Sequence, residues 1–175
     1  MTQPVNESVF TPIETAIEWL AKLSFFVGAL SIILMMLHIG ADVFARTFFG
    51  SGVPGTLEIT AEWYMIGIVY MPLALLMLRD QHISVDLFIH NLSPRVQHGL
   101  RAATGVLAMA YFYYWADASL QLALKKTKRL SFLDSGLWQI PTWPVYWACF
   151  IGVVLLMLAT AVMIVRAVIA SRTAD

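Results

Sequence analysis

The sequence predicts an all-α integral membrane fold, with four transmembrane helices in two hairpins and a short amphipathic N-terminal lead-in helix. Three observations predict it. Of the 175 residues, 59% are hydrophobic, and mean hydropathy is +0.74, whereas soluble domains carry about 45–50% apolar residues. Only 13% are charged, against roughly 25% in soluble domains. The apolar residues are also gathered into four runs, each near the ~20 residues a helix needs to cross ~30 Å of hydrocarbon. The chain therefore reads as one membrane domain over residues 1–175, with spans at about 20–45, 60–79, 98–126 and 144–167.

Each element has a local cause. Thr11-Pro12-Ile13-Glu14 is a helix start: Thr11 caps, Pro12 needs no N–H in a first turn, and Glu14 closes a capping box. Ile13, Ile17 and Leu20 share one face, with Glu14, Glu18 and Lys22 elsewhere, which predicts a lead-in lying at the membrane surface. The first basic residue is Lys22, so no cleavable signal peptide is expected and the first span stays as an anchor. That span, Leu23 to Ala41, is uncharged and ends at Asp42 and Arg46, which are four apart and placed to pair. Gly50-Ser51-Gly52-Val53-Pro54-Gly55 makes the turn.

The second span runs from near Thr60 to Leu78. Trp63 and Tyr64 suit the headgroup level, and Pro72 requires a kink or a packed neighbour. Then comes Arg79-Asp80-Gln81-His82-Ile83-Ser84-Val85-Asp86, a polar stretch that divides the two hairpins and reads as a water-facing or docking surface. Ser93-Pro94 restarts a helix. Its span, Ala102 to Leu124, is interrupted by Asp117, carries Tyr111-Phe112-Tyr113-Tyr114-Trp115 and closes in Lys125, Lys126, Lys128 and Arg129. A loop through Asp134, Gly136, Pro141 and Pro144 follows, with Trp138, Trp143, Tyr146 and Trp147 as an aromatic belt. Val145 to Val165 is the cleanest span. Six basic residues on the terminus side face five on the other, so the positive-inside rule leaves orientation open.

Function classes narrow from the same residues. Net charge is zero, which argues against a nucleic-acid partner. The single cysteine, Cys149, excludes an internal disulfide and a cysteine metal site. Four histidines raise a haem hypothesis, but His38 lies across the membrane from His82, His90 and His98, so solvated or hydrogen-bonded histidines are the favoured reading. Glu58 and Glu62 open the second span on the side of Asp42 and Arg46. An ion-pair cluster with Arg46 that pins the hairpin is favoured over a proton or cation relay, because no further carboxylate continues inward. Asp117 is costly unless paired or near water, and a partner helix and snorkelling both remain open for it. The aromatic run covers every face of its helix and suits a subunit interface. The basic cluster reads first as a solvated or lipid-headgroup face and second as a surface steering an acidic partner or anionic solute. With no Walker motif, nucleophile elbow, HExxH motif or broken helix pair, the chain looks like an accessory subunit.

The pattern resembles a known family, the DctQ-like small permease subunit of tripartite ATP-independent periplasmic (TRAP) transporters. Asp42-Val43 with Arg46 and Phe49, Glu58 at the second span, Arg79 followed by His82-Ile83-x-Val85-Asp86, and Leu137 to Pro141 carry the likeness. The resemblance implies a bacterial inner-membrane protein with both termini cytoplasmic and no catalytic, metal or substrate site of its own. It implies a scaffold for a large elevator-type subunit that holds the coupling sodium, lipids around it, and a periplasmic binding protein delivering an organic acid. Lys125, Lys126, Lys128 and Arg129 then face the periplasm as a contact for the binding protein. Arg79, His82 and Asp86 stabilise the cytoplasmic turn or dock the partner. The alternatives are a haem-bearing membrane anchor of a respiratory enzyme and a self-contained small channel or exporter.

Overall fold

The computed structural model describes residues 11–79, 94–134 and 139–173. Helix α1, Thr11–Phe49, is unbroken over 39 residues, or roughly 58 Å at about 1.5 Å per residue. This corrects the expectation of a separate lead-in helix at the membrane surface. Nothing between Thr11 and Leu23 stops a helix, and the first turns are held in place: Ile17 and Ala21 are buried, Ala21 in a cluster with Leu155, Leu156 and Ala159. The helix continues past Asp42 and Arg46, which end its uncharged run. It stops at Gly50, whose φ of +74° costs glycine little.

Helix α2 spans Thr56–Leu78 and starts four residues before the expected Thr60. It is irregular twice. Thr60–Tyr64 forms a π-helical stretch, a wide turn often found at functional sites. At Met71 and Pro72 the helix breaks and resumes at Leu73. The expected kink and the expected packed neighbour both occur: a Cβ on Gly28 of α1 would lie 3.0 Å from the Pro72 ring.

Helix α3 is Pro94–Lys128 and helix α4 is Trp143–Thr173. Between them the loop forms an antiparallel ribbon that the sequence reading did not contain, β1 (Phe132–Asp134) against β2 (Gln139–Pro141), with Phe132 opposite Pro141. Thr142 closes it through N–H and hydroxyl bonds to the Ser131 carbonyl, at 2.9 and 3.1 Å.

α1 and α2 run antiparallel, as the pairs His38–Tyr64 and Gly28–Pro72 establish. α3 and α4 do the same, with Trp147 bonded to Thr127 at one end and Gly105 against Ile164 at the other. α4 is the central helix, touching the other three. The core of Ala21, Ala74, Leu75, Met77, Leu155, Leu156 and Ala159 lies between α1, α2 and α4. Small residues let these backbones approach closely, the usual means of helix association in lipid. Among the described residues, three helices are long and apolar enough to cross a membrane: Glu14–Phe49, Thr56–Leu78 and Trp143–Arg166. α3 has 35 residues, enough to cross at about 1.5 Å each, but its aromatic and polar content leaves it less apolar.

Candidate functional site

Among the described residues, the densest polar cluster joins α1 to the start of α2. Asp42 is its hub, with a side chain only 10% exposed. Its Oδ1 accepts the Val53 N–H at 2.7 Å, and its Oδ2 accepts Arg46 Nη2 at 3.0 Å. The Thr56 hydroxyl lies between the Val53 carbonyl (2.9 Å), Asp42 Oδ1 (3.3 Å) and His38 Nε2 (3.4 Å). His38 Nδ1 shares a hydrogen bond with Tyr64 Oη at 3.3 Å, and the two rings meet edge to face. Both His38 nitrogens are thus engaged by α2. The turn passes close over this cluster at Gly52, where a Cβ would lie 2.5 Å from Asp42 Oδ1 and 2.6 Å from Arg46 Nη2 and would displace those side-chain ends.

The anticipated bond between the glutamates and Arg46 is absent among the described residues, because Arg46 is spent on Asp42 one turn back along its own helix. The π-helical stretch instead aims Glu62 at α4, where its Oε2 accepts the Tyr146 hydroxyl at 3.0 Å. Glu58 is half-buried on the same helix. Lys126 of α3 stands 4.7 Å over the Tyr146 ring, a cation–π contact. Trp147 Nε1 donates to Thr127 Oγ1 at 2.9 Å. α2, α4 and α3 are therefore tied at one level. Within this ring of contacts the Thr60 hydroxyl is buried with no partner. At the opposite end, Arg166 of α4 pairs with Glu14 and, at 3.7 Å, with Glu18 of α1, and Glu18 also holds Lys22 at 3.5 Å.

The structure divides the basic cluster. Lys126 turns inward to Tyr146, while Lys125, Lys128 and Arg129 line an open hollow of about 360 Å³ with Gln121 and Leu124. Asp117 is exposed on α3 and accepts Gln121 Nε2 at 2.7 Å. Arg79 is the exposed C-cap of α2, and Pro141 ends β2. His82 and Asp86 lie outside the described residues. Among the described residues no three His, Cys, Asp or Glu side chains converge as a metal site. The Tyr146–Glu62, Trp147–Thr127 and His38–Tyr64 pairs escaped the sequence reading. The only available signal was that polar residues near span ends at matching depth must find partners.

Long apolar helices whose boundary polar groups bind one another define a multi-pass membrane protein. The family follows from comparison: the model for tripartite ATP-independent periplasmic transporters, DctQ component, matches residues 35–170. The chain belongs to that family, a component of transporters. No curated protein and no solved structure matches it.

Proposed function

We propose that this chain is the fixed scaffold of a sodium-coupled, binding-protein-dependent transporter. In this reading it holds a large elevator-type subunit in the inner membrane and carries no substrate site of its own. α3 crosses as a fourth span, so the helices form two hairpins with both termini cytoplasmic. The solute is an organic acid or similar small anion, delivered by a periplasmic binding protein, and the coupling sodium resides in the large subunit.

One observation carries the scaffold assignment. Most polar side chains near the span ends of α1 and α2 are bonded within the protein: His38 to Tyr64 and Thr56 of α2, Asp42 to Arg46 of its own helix and to Val53 of the turn, and Glu62 to Tyr146 of α4, Thr60 being the exception. Groups committed in this way brace a bundle and are not free to coordinate a passing solute. The alternative of a haem-bearing anchor draws no support from His38, whose two ring nitrogens are both engaged.

Reconstitution tests the reading. The chain co-expressed with its cognate large subunit is expected to purify as a stable complex, and liposomes holding that complex and the binding protein should accumulate an organic acid only with an inward sodium gradient. Liposomes with this chain alone should accumulate none. Uptake by the chain alone, or a Soret band in the pure protein, would overturn the scaffold assignment.

A further inference from the structure

Two long faces of the molecule are exposed, and they differ in kind. On α1, every exposed side chain from Leu23 to Phe44 is apolar, and Phe26, Ile33, Leu37 and Phe44 are each more than half exposed. Of the polar groups on that stretch, Ser31 bonds the Val27 carbonyl, His38 bonds α2, Asp42 bonds Arg46 and Val53, and Ser24 is buried. Such a surface asks nothing of its surroundings but hydrocarbon.

α3 presents the opposite case. Its inner side is occupied: Trp115 stacks edge to face on Tyr70, and Ser119 meets Cys149 of α4. On its outer side, exposed residues recur at intervals of four, three, four, three and four, through Ala110, Tyr114, Asp117, Gln121, Leu124 and Lys128. Along this seam polar and apolar residues are mixed, whereas the exposed line of α1, which repeats with the same spacing through Phe26, Ile33, Leu37 and Phe44, is wholly apolar. At its lower end the seam opens on a shallow apolar hollow of about 500 Å³ between α3 and Ile164 of α4. Its polar members are unfinished. Tyr114 is 73% exposed with no hydroxyl partner among the described residues, and Asp117 has only one oxygen bonded, to Gln121 of its own helix. Asp117 lies eight residues, or roughly 12 Å, below Lys125 along the helix. A carboxylate at that depth facing acyl chains is costly and is found paired or turned toward protein.

The geometry points to this seam, and not α1, as the surface on which the large subunit docks, through a transmembrane helix carrying a cation or hydrogen-bond donor at the depth of Asp117. The assignment rests on the scaffold reading and adds the face and the chemistry of the partner. Lipid tails complement α1 and cannot complete the bonds on α3. A second copy is the wrong occupant, because a two-fold axis along the membrane normal would set Asp117 against Asp117. The polar members of the seam also fix register, as single polar residues do in a helix seam. α3 is the least apolar long helix because its outer face is built for protein.

Photo-crosslinking in membranes containing both subunits tests this. Benzoylphenylalanine is placed at Tyr114 or Leu124 on α3 and at Ile33 or Leu37 on α1. The α3 probes are expected to crosslink to the large subunit at least ten-fold more than the α1 probes. Asp117→Leu should lower the yield of complex at least five-fold while the isolated chain keeps its helical content, and Asp117→Asn, which can still accept and donate hydrogen bonds, should retain most of it. Crosslinks from α1 with silent α3 probes, a product of twice this chain's mass, or adducts to lipid alone at Tyr114 would each overturn the docking face. If the wild-type pair forms no complex, the scaffold reading itself falls. If the complex forms while α3 stays silent, only the face is wrong.

Discussion

At the scale of single residues, Asp42 shows which of two interactions dominates. It forms an ion pair with Arg46, but the Arg46 side chain is 67% exposed, and exposed pairs contribute about 0–1 kcal/mol. Its bond to the Val53 N–H is different: a backbone donor in a tight turn is given a charged acceptor at 2.7 Å, and such bonds are worth about 1.5–3 kcal/mol. Arg46→Ala is therefore expected to cost less than about 1 kcal/mol. Asp42→Ala should cost about 2 kcal/mol, with Asp42→Asn between them because its amide oxygen still accepts from Val53. Thermal unfolding of the three variants in detergent checks the order. Equal losses for Arg46→Ala and Asp42→Ala would mean that the ion pair, and not the turn anchor, holds the first connection. The pairing of Asp42 and Arg46 was legible because both sit on one helix four residues apart. The role of Asp42 toward Val53 was not, since it depends on how Gly50 and Gly55, with φ of +74° and +84°, fold the turn back.

At the scale of elements, three glycines on three helix faces separate close approach from mere tolerance. A Cβ on Gly152 of α4 would lie 2.7 Å from the Tyr70 carbonyl oxygen, backbone that cannot swing aside. On Gly28 it would meet the Pro72 ring at 3.0 Å, and on Gly40 nothing within 4 Å. Gly152→Ala must therefore push α4 off α2, with an expected loss of about 1–3 kcal/mol. Gly28→Ala should fall below that, and Gly40→Ala should be neutral or stabilise by about 0.5–1 kcal/mol, because alanine removes the entropy penalty of glycine within a helix. Unfolding midpoints that rank Gly40→Ala as the worst would contradict the packing of α2 against α4. Pro72 announced its own break, since a proline lacks the N–H a helix needs. The π-helical stretch at Thr60–Tyr64 left no mark in the composition: Thr-Ala-Glu-Trp-Tyr suits an ordinary helix as well. What the wide turn accomplishes, the aiming of Glu62 at Tyr146, joins residues 84 apart in the chain. No local pattern encodes that.

At the scale of the whole molecule, the polar contacts gather at two levels one membrane apart. On α4 the bridge at Tyr146 and the ion pair at Arg166 are separated by twenty residues, as are Glu18 and His38 on α1, and twenty residues of helix rise roughly 30 Å. Hydropathy alone made α1, α2 and α4 legible. α3 was legible mainly by its length and flanking charges, because Tyr113, Tyr114, Asp117 and Gln121 dilute its apolar run. Whether α3 crosses decides the topology, and two positions distinguish the cases. Ser51 lies in the turn between α1 and α2, and Leu130 is exposed just beyond the end of α3. If α3 spans, both positions face the same compartment; if it does not, the chain re-crosses only at α4 and Leu130 stays on the side of Arg79. In a Cys149→Ser background, Ser51→Cys and Leu130→Cys are expected to react alike with a membrane-impermeant maleimide applied to spheroplasts. Trp19→Cys, at the other level, should react only after permeabilisation. Labelling of Ser51→Cys without Leu130→Cys would reduce the protein to three spans and place its termini on opposite sides. It would also remove Lys125, Lys128 and Arg129 from the compartment in which a periplasmic partner could reach them.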